Sequence, residues 1–167
     1  SKPVMKWDLN DALILAKSIQ KVSKPIVVAA NKADISSDDN KNKLVEASAI
    51  LTSADFELAL KNAKKAELID YIPGSSEFKI NASNLNDNQI NALNSISNFL
   101  AVNKSTGIQE CLEKAVLDKL DLIAIYPVED ETHFTDSQNR ILPDVFLLPR
   151  GSTALDLAYK VHSDIGD

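Results

Sequence analysis

Asn31, Lys32 and Asp34, set as Asn-Lys-Ala-Asp, are the side chains whose types and spacing suit chemistry on a ligand. A fixed carboxylate accepts two hydrogen bonds at once. Guanine offers two adjacent donors, its ring N–H and its exocyclic amine. Adenine presents no such pair. Asp34 is therefore the expected base-reading residue. The amide of Asn31 donates and accepts, so it can tie the loop together and reach the acceptor edge of the base. The stem of Lys32 is long and apolar enough to lie flat on a purine ring. A site built on hydrogen bonds rejects an analogue lacking them by roughly 10⁴–10⁵-fold, because its buried polar groups stay unpaired. On the tetrad alone, an ordinary polar turn remains an open reading.

Such a tetrad needs a rigid mount. The apolar run Pro25-Ile26-Val27-Val28-Ala29-Ala30 directly precedes it. Val and Ile favour extended backbone, and the run is too short for a lone helix, so it reads as a buried strand. In open α/β sheets, ligands bind beyond the carboxyl ends of strands, which is where the tetrad falls. A second short apolar piece, Ile50-Leu51, leads into Thr52-Ser53-Ala54. A Ser-Ala turn there can aim a backbone N–H at the guanine oxygen, which adds Ser53 and Ala54 to the candidate site.

Further stretches belong with these: Lys24 to Asp34, Thr52 to Glu57, Tyr71-Ile72-Pro73-Gly74-Ser75-Ser76-Glu77-Phe78 and Ser105-Thr106-Gly107-Ile108-Gln109-Glu110. The densest run goes from Leu142-Pro143-Asp144-Val145 through Gly151-Ser152-Thr153 and Asp156-Leu157-Ala158 to His162-Ser163-Asp164-Ile165-Gly166. On these residues the chain resembles the archaeal branch of the Obg-related, YchF-like GTPases, which carry a TGS domain after the G domain. The resemblance covers nearly the whole chain. It implies an α/β fold: the C-terminal part of a doubly wound P-loop G domain over residues 1–122, with a helical segment over about 55–103, then the start of a β-grasp TGS domain over 123–167.

The resemblance also implies a function. GTP or GDP is the expected ligand, read by Asn31, Lys32, Asp34, Ser53 and Ala54. Relatives with a changed tetrad prefer ATP, and here Lys32 and Asp34 are retained. The family is of the translation-factor type, and its TGS domains are associated with ribosomes and RNA. Arg150, Lys160 and His162 are the basic groups here that could serve such a contact. An RNA- or ribosome-binding module without nucleotide hydrolysis is thus the alternative reading. The phosphate loop G-x-x-x-x-G-K-[ST] is missing: the glycines are Gly74, Gly107, Gly151 and Gly166, and none is followed by Lys-Ser or Lys-Thr. The family's Asp-x-x-Gly motif is missing too. Mg²⁺ is therefore expected only in the full-length protein, and no residue here is expected to be catalytic or to bind metal.

Composition narrows the classes. Apolar residues at 44 % suffice for a core, and charged residues at 25 % are ordinary for a soluble protein. A net charge of −6 argues against a broad basic footprint for DNA or other nucleic acid, though not against a local one. The single cysteine, Cys111, excludes an internal disulfide and suits a reducing, cytoplasmic setting. It reads as a core residue. No signal peptide is visible and no apolar run approaches about 18 residues, so no membrane partner is expected.

In chain order, Asp8 or Asn10 caps a helix to about Val22, with an apolar face of Leu9, Ala12, Leu13, Leu15, Ala16 and Ile19. Trp7 reads as a packing anchor. A helix over about 40–47 meets Ile50-Leu51 after an unusually short link, since α/β units generally have a few turn residues there. Asp55 to about Ala66 is helical, with Phe56, Leu58, Ala59, Leu60 and Ala63 supplying contacts. Lys61, Lys64 and Lys65 form a solvated face or a phosphate-facing patch. Tyr71 to Ile80 reads as a loop. Asn84 or Asn86 caps a helix to about Val102 with Ile90, Leu93, Ile96 and Leu100 on one face. Thr106 opens another to about Leu120, with Cys111, Leu112, Ala115 and Val116 inward. Leu122 to Val128 is a strand. Glu129, Asp130, Glu131 and His133 lack the number and spacing of a metal site and read as a loop. Thr135 to Arg140 reads as a hairpin turn with Val145 to Leu148 as its second strand. Thr153 and Asp156 fit a helix-capping pattern.

Overall fold

The computed structural model describes residues 2–83, 85–142 and 144–161. They fall into two compact units, Ser1–Lys114 and Ala115–Asp167. The first runs α1 (Leu9–Ser23), β1 (Ala29–Ala30), α2 (Asp38–Glu46), β2 (Ile50–Leu51), α3 (Ala54–Lys65), β3 (Ile69–Asp70), β4 (Lys79–Ile80), α4 (Asp87–Asn103) and α5 (Ile108–Glu113). A π-helical turn, Lys114–Lys119, follows α5. The second unit holds β5 (Leu122–Ile125), β6 (Phe146–Pro149) and α6 (Ala154–Val161).

Short-range chemistry sets the helix starts. Asp8 accepts from the Asp11 N–H and Asp11 accepts from the Asp8 N–H, a reciprocal cap on α1. Asn86 and Gln89 do the same for α4. The other expected cap, Asn84, lies outside the described residues. At α6 the Thr153 hydroxyl and N–H both donate to the Asp156 carboxylate, as the sequence pattern predicts.

β1 and β2 pair in parallel, Ala29 opposite Ile50 and Ala30 opposite Leu51, with α2 as the crossover. The short link after α2 is a tight turn. Ser48 takes a left-handed backbone at φ 63, and its N–H and that of Ala49 bond back to Val45 and Leu44 at 2.8 and 2.9 Å. Beside this sheet lies the core: Leu60 of α3, Ile69, Tyr71, and Leu93, Ile96, Phe99 and Leu100 of α4, with Ala33 from the tetrad. Phe56 and Phe99 meet edge to face, centroids 5.3 Å apart at 83°.

Several expectations need correction. The strand before the tetrad is shorter and more open than expected: Ile26 and Val28 are 66 % and 52 % exposed. β1 has a single neighbour, β2, among the described residues, so nothing there covers those side chains. The apolar face of α1 exists but meets no core, and Leu9, Leu13, Leu15 and Ile19 are exposed along it. Leu58 and Leu112 point outward, and Ile90 is 42 % exposed at the margin of the core that Leu93 enters. The Tyr71 to Ile80 loop ends in a strand, because Lys79 and Ile80 pair antiparallel with Asp70 and Ile69.

In the second unit the expected strand stops at Ile125, and its partner is β6, with Leu122 opposite Pro149 and Ile125 opposite Phe146. The expected turn at Thr135 to Arg140 lies within the connection between these two antiparallel strands, so the expected hairpin forms, with Phe146–Pro149 as its second strand. The turn carries isolated bridges, Asp130 to Thr135 and Thr135 to Ile141, inside the long β5–β6 connection. Arg150 ties the sheet end to Asp121, through its N–H to the carbonyl and its side chain to the carboxylate, both at 2.8 Å. His133 pairs with Asp130 at 2.7 Å, and this contact, with the Thr132 and His133 N–H groups, holds the Asp130 carboxyl below its usual range.

Candidate functional site

The parallel register decides where the two motifs meet. With Ala30 opposite Leu51, the residues that follow, Asn31 and Thr52, leave the sheet at the same end. Asn31 Oδ1 accepts from the Ala54 N–H at 3.1 Å. The Ala33 N–H donates to the Thr52 carbonyl at 3.0 Å. Two loops are thus stitched, by a side chain across 23 residues of sequence and by a main chain across 19. Lys32 sits at φ 66, and the Ile35 N–H bonds to its carbonyl at 3.2 Å, closing the tetrad into a turn. That turn buries Ala33, exposes Lys32 and leaves Asp34 half-buried.

The side chain of Asp34 makes no ion pair or hydrogen bond among the described residues. Ser53 is fully buried, and its hydroxyl caps α3 by accepting from the Phe56 N–H at 3.4 Å. The Ser53 N–H donates to the Thr106 carbonyl at 2.9 Å. Asn31, Ser53 and Ala54 are therefore joined in one bonded frame. Lys32 and Asp34 stand at its open side. The N–H groups of Ser53 and Ala54 are both engaged within this frame, so neither is free for the guanine oxygen as the sequence predicts, whereas the Asp55 N–H that follows has no hydrogen-bond partner among the described residues.

Behind the frame lies a polar cluster to which the sequence reading assigned no role. Glu57, 4 % exposed, turns inward from α3. Its Oε2 accepts from the Tyr71 hydroxyl at 2.8 Å and the Thr106 hydroxyl at 2.6 Å. Burial, then the Glu57 contact, pushes the Tyr71 hydroxyl up to about 12. Glu57 Oε1 and Thr52 Oγ1 are buried without a hydrogen-bond partner among the described residues. A sequence signal for Glu57 existed: it lies three residues before Leu60 on the stripe that α3 buries. Lys61 reaches Glu57 Oε1 at 3.6 Å and Lys64 donates to the Tyr71 carbonyl at 2.7 Å, so two of the three clustered lysines serve the fold.

Gly107 closes the frame. It lies at φ +75, and a Cβ there would meet the Leu51 carbonyl oxygen at 2.0 Å. Only glycine permits this approach of the Thr106–Gly107 turn to the end of β2. Cys111, on the helix that follows, is half-buried, and burial raises its thiol.

A βαβ unit with its loops stitched at the strand ends and helices packed around it is α/β, and it matches part of a G domain. It aligns with the crystal structure of a GTP-binding protein from Pyrococcus horikoshii at TM-score 0.64 and 40 % identity, over 96 % of this chain and 42 % of that one. The model of the Obg-like GTPase YGR210-like, G4 motif-containing domain matches residues 29–130, more than half of the chain. The chain belongs to this family of Obg-like GTPases. An uncharacterised GTP-binding protein of Methanocaldococcus jannaschii is 45 % identical over 98 % of this chain. The chain spans 42 % of the length of that relative.

Proposed function

We propose that these residues select the guanine base in a GTP-binding protein of the Obg-like type. On this reading the tetrad serves as a G4 motif, the kind that the family's description names. Asp34 accepts from the guanine ring N–H and exocyclic amine, Lys32 lies along the ring, and Asn31 locks the tetrad to the Ser53–Ala54 turn, from which the next N–H, that of Asp55, reaches the 6-oxygen. The observation that carries this reading is the pairing of a half-buried, partnerless carboxylate at Asp34 with a rigid frame stitched by Asn31 Oδ1 and the Ala54 N–H. Both relatives are called GTP-binding proteins and are more than twice as long as the matched stretch. The phosphate loop, the Mg²⁺ site and the groups that hydrolyse GTP belong to residues other than these 167, in a cytoplasmic GTPase of the YchF-like, translation-factor kind. Its second unit is the start of a TGS domain.

RNA or ribosome contact through that second unit ranks behind guanine selection. Of its three basic candidates, Arg150 is engaged with Asp121 and His162 lies outside the described residues, which leaves Lys160. The deciding experiment measures GDP, GTP and ATP binding by the full-length protein. Guanine nucleotides bind and ATP does not, and Asp34→Asn abolishes the preference. Equal binding of GTP and ATP, or preference intact in Asp34→Asn, overturns the reading. RNA co-sedimentation surviving removal of residues 1–122 would instead favour the binding module.

A further inference from the structure

Ser53 is held on both sides of its backbone by one closed circuit. Its N–H donates to the Thr106 carbonyl at 2.9 Å. The Thr106 hydroxyl donates to Glu57 Oε2 at 2.6 Å. The Glu57 N–H, one helical turn on, donates back to the Ser53 carbonyl at 3.1 Å. Every side chain in the circuit is buried: Ser53 and Thr106 are 0 % exposed and Glu57 is 4 %. The adjacent Gly107 rests on the Leu51 carbonyl, so the circuit is braced against β2.

We propose that Glu57, acting through Thr106, is a positioning residue for the Ser53–Ala54 turn and so sets recognition at the 6-position of the purine. This rests on the guanine reading given above. The chemistry favours an acid at residue 57. A carboxylate oxygen accepts two hydrogen bonds, and here one oxygen takes both hydroxyls. Thr106 without its acceptor would be a buried hydroxyl free to rotate, with its carbonyl no longer fixed under Ser53. Tyr71 shares the acceptor but lies outside the circuit, so it is a control for general damage. Asp34 reads the other side of the base. The two halves of recognition therefore separate by purine position.

The test compares GDP with inosine diphosphate, which lacks the 2-amine, and with 6-thioguanosine diphosphate, which keeps the ring N–H and the 2-amine but carries a weakly accepting sulfur in place of the 6-oxygen. In the full-length protein, Thr106→Val cuts discrimination at the 6-position about tenfold, the worth of one hydrogen bond. Discrimination at the 2-position stays as in the parent. Thr106→Ser, which keeps the hydroxyl, restores the 6-position preference, and Tyr71→Phe leaves it in place. In this chain without nucleotide, amide exchange at Ser53 quickens about tenfold in Thr106→Val, while amides of α4 do not change. Unchanged 6-position discrimination in folded Thr106→Val overturns the proposal, as does an equal loss in Tyr71→Phe. If Thr106→Val does not fold, unchanged Ser53 exchange in folded Thr106→Ala overturns it. An unselective parent protein, indifferent to Asp34→Asn, would sink the guanine reading itself, whereas an Asp34-dependent parent with an inert Thr106 sinks the positioning role alone.

Discussion

Tyr71 shows how one hydroxyl reports on the buried cluster. Its side chain is 1 % exposed and donates to Glu57, so ionisation would put a second negative charge beside the first. The folded chain holds this proton to about 12, against an ordinary value of 10.0. Between those values the unfolded chain has lost the proton while the folded chain keeps it, so stability falls as pH rises through that window. A spectrophotometric titration at 295 nm should contain a late component near 12 that vanishes in Tyr71→Phe. The same variant should show a shallower alkaline loss of stability in urea melts at a series of pH values. The type and place of Tyr71 were legible, since it opens a stretch shared with the family. Its partners were not, because Glu57 and Thr106 lie 14 residues before it and far downstream on another connection.

At the scale of elements, two backbone conformations carry the arrangement. Gly107 allows the Thr106 turn to sit on β2. Gly107→Ala introduces both a left-handed alanine and a 2.0 Å clash with a carbonyl. It should lower the unfolding free energy by more than about 1 kcal/mol in chemical denaturation. Ser48 allows α2 to turn into β2 within three residues. A left-handed non-glycine residue costs about 1–2 kcal/mol, and glycine's extra unfolded-state entropy offsets about 0.5–1 of that. Ser48→Gly should therefore raise the midpoint of urea unfolding, by the equivalent of about 0.5–1 kcal/mol, and Ser48→Val should lower it. The helix caps at Asp8, Asn86 and Thr153 were legible because capping uses partners three residues away. The hairpin of β5 and β6 was legible as two apolar runs about a polar turn, but its register was not, since the paired residues are separated by a long connection and no local residue marks it.

At the scale of the molecule, apolar surface is unevenly shared. The core of the first unit gathers on α3 and α4, while Leu9, Leu13, Ile14, Leu15, Ile19 and Val22 of α1 stand exposed. An apolar stripe of this kind promotes association. The chain should show concentration-dependent self-association by sedimentation velocity, and the double variant Leu13→Lys with Ile19→Lys should suppress it. Because those side chains touch no core, the variant's unfolding free energy should stay within about 0.5 kcal/mol of the parent.

Short-range patterns were enough to name the tetrad, the Ser53–Ala54 turn and the capped helix starts, because side-chain type, strand-end placement and capping act over a few residues, and the family resemblance added the α/β class. Tertiary structure alone decided that Asn31 binds the Ala54 N–H, that Glu57 turns inward to gather Tyr71 and Thr106, and that the apolar sides of α1 and of Ile26 and Val28 meet no core. Periodicity records that a face is apolar. What covers that face, and which distant donors converge on one carboxylate, depends on contacts between segments that no local pattern encodes.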